Sequence, residues 1–199
     1  MPDAVISAAA PATGGRAPAP GSTPQAGPAG WRELRSNDEL TELFGPPHPI
    51  VIEKVHDELT EDDLGILARS PFCVVSTSDA DGNCDSSPRG DTVGFVHVLD
   101  ARTVAIPDRP GNRRGDSLRN VLVNPHVGLL HLVPGAADVL RVNGRARILT
   151  DAPFFDAMAV RGRRPELALV VEIDEIFRHC PASLRRAGLW QPETWTPQA

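Results

Sequence analysis

A loop rich in arginine near the middle of the chain carries residue types that hold phosphate groups in other proteins. It reads Ile106-Pro107-Asp108-Arg109-Pro110-Gly111-Asn112-Arg113-Arg114-Gly115-Asp116-Ser117. Its arginine, asparagine and serine donors lead into the start of a predicted helix, where the helix dipole is positive. A solvated arginine turn would have the same composition. The residues alone therefore predict either a phosphate site or an exposed basic loop.

A second unusual segment is Ser86-Ser87-Pro88-Arg89-Gly90-Asp91. Proline cannot donate to a β-ladder and glycine loosens one, so the segment predicts a strand that is broken beside Arg89 and Asp91. A bulge on an edge strand with a surface ion pair would explain the same residues. Both interpretations stay open at this point.

The third segment is Leu140-Arg141-Val142-Asn143-Gly144-Arg145-Ala146-Arg147-Ile148. Strict alternation places its polar residues on one face of a strand and its apolar residues on the other. A sheet with one solvated face would show this pattern without any ligand.

Other catalytic signatures are missing from the sequence. There is no serine nucleophile elbow, no Walker loop and no GxGxxG pattern, which argues against hydrolase, nucleotide-hydrolysing and dinucleotide-dependent dehydrogenase functions. His179 and Cys180 are adjacent, but no third ligand lies at zinc spacing. We expect a packed histidine beside a buried thiol and no metal site.

Composition limits the classes of partner. The chain has 199 residues, 41% of them hydrophobic, and a formal net charge of −6. This acidic balance argues against nucleic acid as a partner. Three cysteines without a CxxC pair indicate free thiols in a reducing compartment. No apolar run approaches the ~18 residues of a membrane span. We therefore expect a cytoplasmic protein without a membrane partner.

The chain divides into a tail and one domain. Residues 1–30 consist mainly of alanine, proline and glycine and are predicted to be disordered, whereas residues 31–199 form the folded domain with helices at its start. Capping signals predict helices from Ser36 to Phe44, with Glu39 completing a capping box, and from Thr60, with Asp63, to Arg69. Further helices are predicted at Asp116–Val123, Pro153–Val160 and Pro181–Arg186.

Extended segments dominate the domain. The first is predicted at Phe72–Ser78, and a second strand follows the turn Asp79–Gly82. Further strands are predicted at Gly94–Leu99, Thr103–Ile106, Val127–Val133, Val139–Leu149 and Leu167–Ile176. At least six strands with this spacing predict an antiparallel barrel or sandwich. The fold class is α+β, mainly β with flanking helices.

Together these segments resemble one known family. The PRGD, PDRPGN and RVNGRA blocks occur in this order, and His179-Cys180 and Leu189-Trp190 follow as a closing segment. The sequence from about Leu34 to Trp195 is similar to FMN-binding split-barrel proteins related to pyridoxamine 5′-phosphate oxidase, and most similar to their bacterial flavin-nucleotide-binding branch.

The resemblance implies an antiparallel split barrel that forms a homodimer with FMN at the interface. It places the phosphate and ribityl chain near the PRGD block and the arginine turn, and the ring edge along the backbone that precedes the turn. It also implies that Arg141 and Asn143 of the RVNGRA block reach the same flavin, from the same chain or from a second copy. The implied cofactor residues are Arg89, Gly90, Asp91, Ile106, Pro107, Asp108, Asn112, Arg113, Arg114, Asp116, Ser117, Arg141 and Asn143.

The expected activity is that of an FMN-dependent oxidoreductase, with a small-molecule substrate or a reductant such as NAD(P)H. No residue stands out as a general acid or base. Alternatives are a non-catalytic flavin-binding protein for storage, sensing or electron exchange, and a split barrel that uses F420 or haem. The chain has Asp116-Ser117 where true pyridoxamine phosphate oxidases have a basic pair, so the resemblance does not extend to pyridoxamine phosphate as substrate.

Overall fold

The computed structural model describes residues 30–137 and 139–195. The chain divides into two compact units, Met1–Phe44 and Gly45–Ala199. The described part of the first unit contains helix α1 (Asn37–Phe44), and Ser36 Oγ accepts a hydrogen bond from Glu39 N at 3.2 Å, as the capping signal predicts. The predicted tail, apart from Gly30, lies outside the described residues.

The helices of the second unit are short. They are α2 (Pro49–Glu53), α3 (Glu61–Arg69), α4 (Asp116–Val123) and α5 (Ala182–Arg186), with 3₁₀ helices at Pro153–Met158 and Pro192–Thr194. The predicted capping box of α3 is present, because Thr60 Oγ1 accepts from Asp63 N and Asp63 Oδ2 accepts from Thr60 N. None of the described helices has the length and apolar character that crossing a bilayer requires.

Seven strands form one antiparallel sheet. They are β1 (Phe72–Ser78), β2 (Cys84–Gly90), β3 (His97–Asp100), β4 (Thr103–Pro107), β5 (His126–Leu132), β6 (Val139–Leu149) and β7 (Ala168–His179). The order across the sheet is β2-β1-β5-β6-β7-β4-β3, and every ladder is antiparallel. This sheet with its few helices confirms the predicted fold class, an antiparallel split barrel with flanking helices.

The strand around Pro88 is continuous, which corrects the predicted break. β2 pairs with β1 in one unshifted register from Cys84 to Gly90, with Pro88 opposite Val74. β2 is the first strand of the sheet and has a single neighbour. An edge strand tolerates proline because one of its sides makes no ladder hydrogen bonds.

The inward face of the sheet forms the main core. Alternate residues of β1, β5, β6 and β7 are buried there, and Ile66 and Leu67 of α3 and Val121 of α4 pack against them. The two-residue period of β1, β5 and β6 separates this buried inner face from a more exposed outer face. The side of the sheet that each functional residue occupies follows from this period.

One polar residue lies deep in this core. His131 of β5 is fully buried between Cys73 of β1 and Leu140 of β6, and neither of its ring nitrogens has a hydrogen-bond partner among the described residues. Burial lowers the pKa of His131 to about 4, since an imidazolium ion would lose its hydration there. The side chain is therefore neutral at physiological pH.

We predict that His131 makes the fold sensitive to mild acid. In the unfolded chain the His131 imidazole is protonated at about pH 6.5, and in the folded chain only near pH 4. The contribution of neutral His131 to the free energy of unfolding is therefore fully present above pH 6.5 and is lost as the pH falls to 4. The limiting loss is about 3 kcal/mol. As the pH is lowered from 7 to 4.5, the free energy of unfolding in urea of His131→Leu, relative to that of the unmodified protein, should rise steadily. His126→Leu, which removes an exposed histidine from the same strand, should not show this trend, and a constant difference for His131→Leu would refute the prediction.

Candidate functional site

Two arginine–aspartate pairs connect β2, the first strand of the sheet, with β4, the last strand but one. Arg89, on edge strand β2, donates from Nη1 to Asp108 Oδ1 at 2.5 Å, just after β4. Arg109 Nε donates in turn to Asp91 Oδ2, just after β2. We call these four residues the seam. Because β2 and β4 are not neighbours in the sheet order, side chains of the seam bring the two ends together.

The seam is partly buried and is held from several sides. The Asp91 side chain is only 11% exposed and that of Arg89 19%. Arg109 Nη2 also donates to the Met158 carbonyl at 2.8 Å, and the backbone N–H of Asp108 donates to the Leu167 carbonyl at 2.9 Å. Charges at this depth are screened less by water than surface pairs are. The seam is therefore a fixed part of the fold.

The arginine turn leads from the seam into α4. Asn112 Oδ1 accepts from the Arg114 backbone N–H at 3.0 Å, and Arg114 Nε donates to Asp116 Oδ2 at 2.7 Å. Gly115, at the N-cap of α4, has a φ of 66° in the left-handed region and offers no side-chain cap. The first N–H groups of α4 thus have no capping side chain, which is the arrangement that binds anions at helix N-termini.

Arg89 joins the seam to this helix end. Its Nη2 donates to Ser117 Oγ at 2.8 Å, and Ser117 is buried in the first turn of α4. Its Nε is buried and has no hydrogen-bond partner among the described residues. Asp85 Oδ2, on the same face of β2 four residues earlier, is also buried without a partner. Unpartnered buried atoms of this kind are costly unless a ligand or water satisfies them.

The structure brings together most of the residues predicted from the sequence. Arg89, Asp108 and Ser117 are in direct contact, and a second contact group contains Asn112, Arg114 and Asp116. Gly90 ends β2 and leads into the seam residue Asp91, while Ile106 and Pro107 are buried at the end of β4, which leads to Asp108. Arg113 is exposed, has a positive φ of 61°, and makes no ion pair with a described carboxylate.

Arg141 and Asn143 lie apart from this group. They point outward from β6, as the alternation predicts, whereas Arg89 lies opposite buried Cys73 and shares its inward face. Asn143 Nδ2 donates to Glu175 Oε1, and the Arg141 guanidinium lies 5.3 Å from the centre of the Phe177 ring. Within one chain the two residues therefore lie on the opposite face of the sheet from Arg89.

Sequence reasoning missed two members of the site. Arg109 was recognised only as one of the loop arginines, yet it makes half of the seam. Asp85 was not recognised, although the two-residue period of β2 places it on the face of Arg89. The two-residue period of β2 could have identified Asp85. The pairing of Arg109 with Asp91 could not have been predicted, because it depends on how the sheet curls.

Cys73 is not a nucleophile at this site. Burial raises the pKa of its thiol to about 12, although the positive charge of Arg89 opposes the shift. The thiol therefore stays protonated at neutral pH. Neither Cys73 nor the neutral His131 beside it offers an exposed reactive group.

The structure corrects the expectation for His179 and Cys180. Both residues are exposed, at and just after the end of β7, so the histidine is not packed and the thiol is not buried.

The chain matches one family model and is similar to several solved structures. The family model of pyridoxamine 5′-phosphate oxidase matches residues 59–180. An FMN-binding protein from Syntrophomonas wolfei subsp. wolfei is 15% identical over 71% of this chain and 92% of that chain, with a TM-score of 0.45. HupZ from Group A Streptococcus is 17% identical over 60% and 93%, with a TM-score of 0.49. An F420 reductase is 17% identical over 59% and 98%, with a TM-score of 0.45. No curated protein matches the chain.

We predict that the seam contributes measurable coupling to stability. In a double-mutant cycle of Asp91→Asn and Arg109→Gln, the coupling free energy should be about 1–3 kcal/mol, because the pair is mostly withdrawn from water. The matched exposed pair, Arg114 and Asp116, should show no measurable coupling in the same urea-unfolding experiment. Equal coupling in the two cycles would contradict a special role for the seam.

Proposed function

The chain belongs to the pyridoxamine 5′-phosphate oxidase family, and from this premise we propose that it is an FMN-dependent oxidoreductase acting on a small molecule. The observation that carries the proposal is the unpartnered Arg89 Nε beside Ser117 at the uncapped N-terminus of α4. FMN, when bound, supplies hydride transfer through its N5 atom. The protein supplies binding, orientation and exclusion of water.

The residues at the end of α4 suit the anionic end of FMN. Arg89 has a buried donor to spare, Ser117 has a hydroxyl, and Arg113 has no carboxylate partner among the described residues. Arg114 and Asn112 shape the turn that leads to them. Guanidinium groups bind phosphate through strong, directional hydrogen bonds. The buried acceptor on Asp85 suits a hydroxyl of the ribityl chain.

The segment before the turn suits the flavin ring. Ile106 and Pro107 are buried and fixed by pairing with Leu169 and Ala168 of β7. The Asp108 N–H already donates to the Leu167 carbonyl, so its carbonyl group is the backbone atom left for a ligand. Rigid backbone of this kind orients a cofactor with little loss of entropy on binding.

Pyridoxamine phosphate is not the substrate that we propose. At the start of α4, Asp116 stands beside Ser117, and its carboxylate is paired with Arg114. This pairing removes one positive charge from the turn. The substrate is assigned only as a small molecule, with NAD(P)H as the candidate reductant.

A non-catalytic flavin-binding protein is the second candidate. The observation in its favour is that the seam and the turn contain no histidine, and each aspartate there makes an ion pair with an arginine. The site therefore lacks an evident general acid or base. Flavin reduction by a nicotinamide needs no such group, so the two candidates must be separated by kinetics.

The functional test is flavin binding followed by reduction. The purified protein should release FMN on denaturation and bind added FMN, and Arg114→Ala should weaken binding at least about tenfold, because it leaves the Asp116 carboxylate without its arginine partner beside the anionic end of FMN. Arg102→Ala removes an exposed arginine from the β3–β4 turn and should leave FMN affinity unchanged.

The outcomes separate the candidates. Reduction of bound FMN by NADH or NADPH, followed by turnover with an acceptor, supports the oxidoreductase. A bound flavin that no nicotinamide reduces supports the binding protein. Release of F420 or haem instead of FMN, or a colourless protein that takes up no FMN, would refute the proposal.

We also propose that the protein forms a homodimer with FMN at the interface. Arg141 and Asn143 lie on the opposite face of the sheet from Arg89, so a flavin held by Arg89 of one chain can lie beside Arg141 and Asn143 only if these two residues belong to a second chain. Light scattering coupled to sizing chromatography should give twice the chain mass for the FMN-loaded protein. A monomer that retains FMN would contradict the dimer and leave the cofactor proposal standing.

A further inference from the structure

A cleft lies on the outward face of the sheet, where strand register assembles it. Ser76 of β1, Gly128 of β5 and Asn143 of β6 stand in one row across three strands. In the adjacent row Leu130 of β5 pairs with Arg141 of β6. Residues at the end of β7 and in α5 complete the lining, and the cleft has a volume of about 390 Å³. Cavities of this size hold small organic molecules.

Gly128 leaves room at the floor of the cleft. A Cβ atom at this position would lie 3.3 Å from Asn143 Oδ1 and 3.9 Å from the Ser76 Cβ atom. The walls are largely apolar and include Leu130, Leu132 and Leu184. The cleft therefore offers an apolar ligand body both space and contact area.

Among the described residues, Arg141 is the only arginine or lysine that lines this cleft, and none of the described carboxylates lines it. No described carboxylate forms an ion pair with Arg141, whereas Arg145 on the same face of β6 lies within 4 Å of both Glu172 and Asp174. The Arg141 guanidinium packs over Phe177, which restrains it without neutralising its charge. His179 and Ser183 add polar groups to the lining.

We propose that the cleft binds the substrate, a small organic monocarboxylate with an apolar body, with its carboxylate at Arg141. A single unpaired guanidinium matches one negative charge, and the leucine walls match a hydrocarbon or aromatic group. Calling this ligand the substrate rests on the proposed function. The binding itself does not, because one chain supplies every lining residue. Arg141 is thereby assigned to the substrate rather than to the flavin.

The test uses benzoate as the probe, in calorimetric titrations of the full-length protein. Benzoate should bind saturably, whereas benzamide, which has the shape without the charge, and acetate, which has the charge without the body, should each bind at least tenfold more weakly. Arg141→Gln should weaken benzoate at least tenfold. Arg147→Gln, which removes an exposed arginine from the same face of β6 outside the cleft, should change its affinity less than twofold.

Several results would overturn the assignment. These are absent benzoate binding, equal affinity for benzamide, and equal losses in the two arginine variants. The benzoate and benzamide comparison on unmodified protein decides the matter even if Arg141→Gln does not fold. The titration is repeated with saturating FMN, where benzoate should still bind. Displacement of benzoate by FMN would show that Arg141 contacts the flavin and not the substrate. Benzoate binding without any FMN binding would refute the proposed function alone.

Discussion

Crossed arginine–aspartate pairs hold the ends of the curled sheet together, and the candidate site depends on this contact. Backbone hydrogen bonds do not close the barrel here, because β2 and β4 are not neighbours in the sheet. Closure rests on Arg89 with Asp108 and on Arg109 with Asp91. Each half-buried charge has an opposite partner, which avoids the cost of burying a lone ion. Since Arg89 also contacts Ser117, one guanidinium both closes the barrel and positions α4.

The two-residue period of the strands then sorts polar groups onto two faces. Arg89 and Asp85 lie on the inward face of β2, near the end of α4, whereas Arg141 lies on the outward face of β6 above Phe177. Arginines that look alike in the sequence therefore have different environments. Those of the seam are neutralised by aspartates, while Arg141 keeps an unpaired charge beside an open cleft. The first arrangement stabilises the fold, and the second is suited to a ligand.

Local signals in the sequence predicted local structure well. The capping box at Thr60 and Asp63 and the alternation in β6 appear as predicted, because each depends on residues close in the chain. Helix α2 was missed, since its PIVIE sequence is rich in β-branched residues that favour strands. The aspartate partners of Arg89 and Arg109 lie 19 and 18 residues away in sequence, respectively. The arginines and aspartates meet only because the whole sheet curls, and the periodicity of the sequence does not predict this curvature.

The RVNGRA block illustrates how structural and chemical demands share one motif. A Cβ atom at Gly144 would lie 2.0 Å from the Glu172 carbonyl oxygen, so β6 and β7 can pack at their bulge only if this residue is glycine. The bulge adds one residue, Asp174, to β7. Asp174 lies on the outer face, where its Oδ1 atom is 3.3 Å from Arg145 Nη2. Gly144 and Arg145 thus serve the sheet. Among the described residues, no carboxylate forms an ion pair with Arg141 of the same motif. The packing of the strands therefore does not explain why an arginine stands at this position.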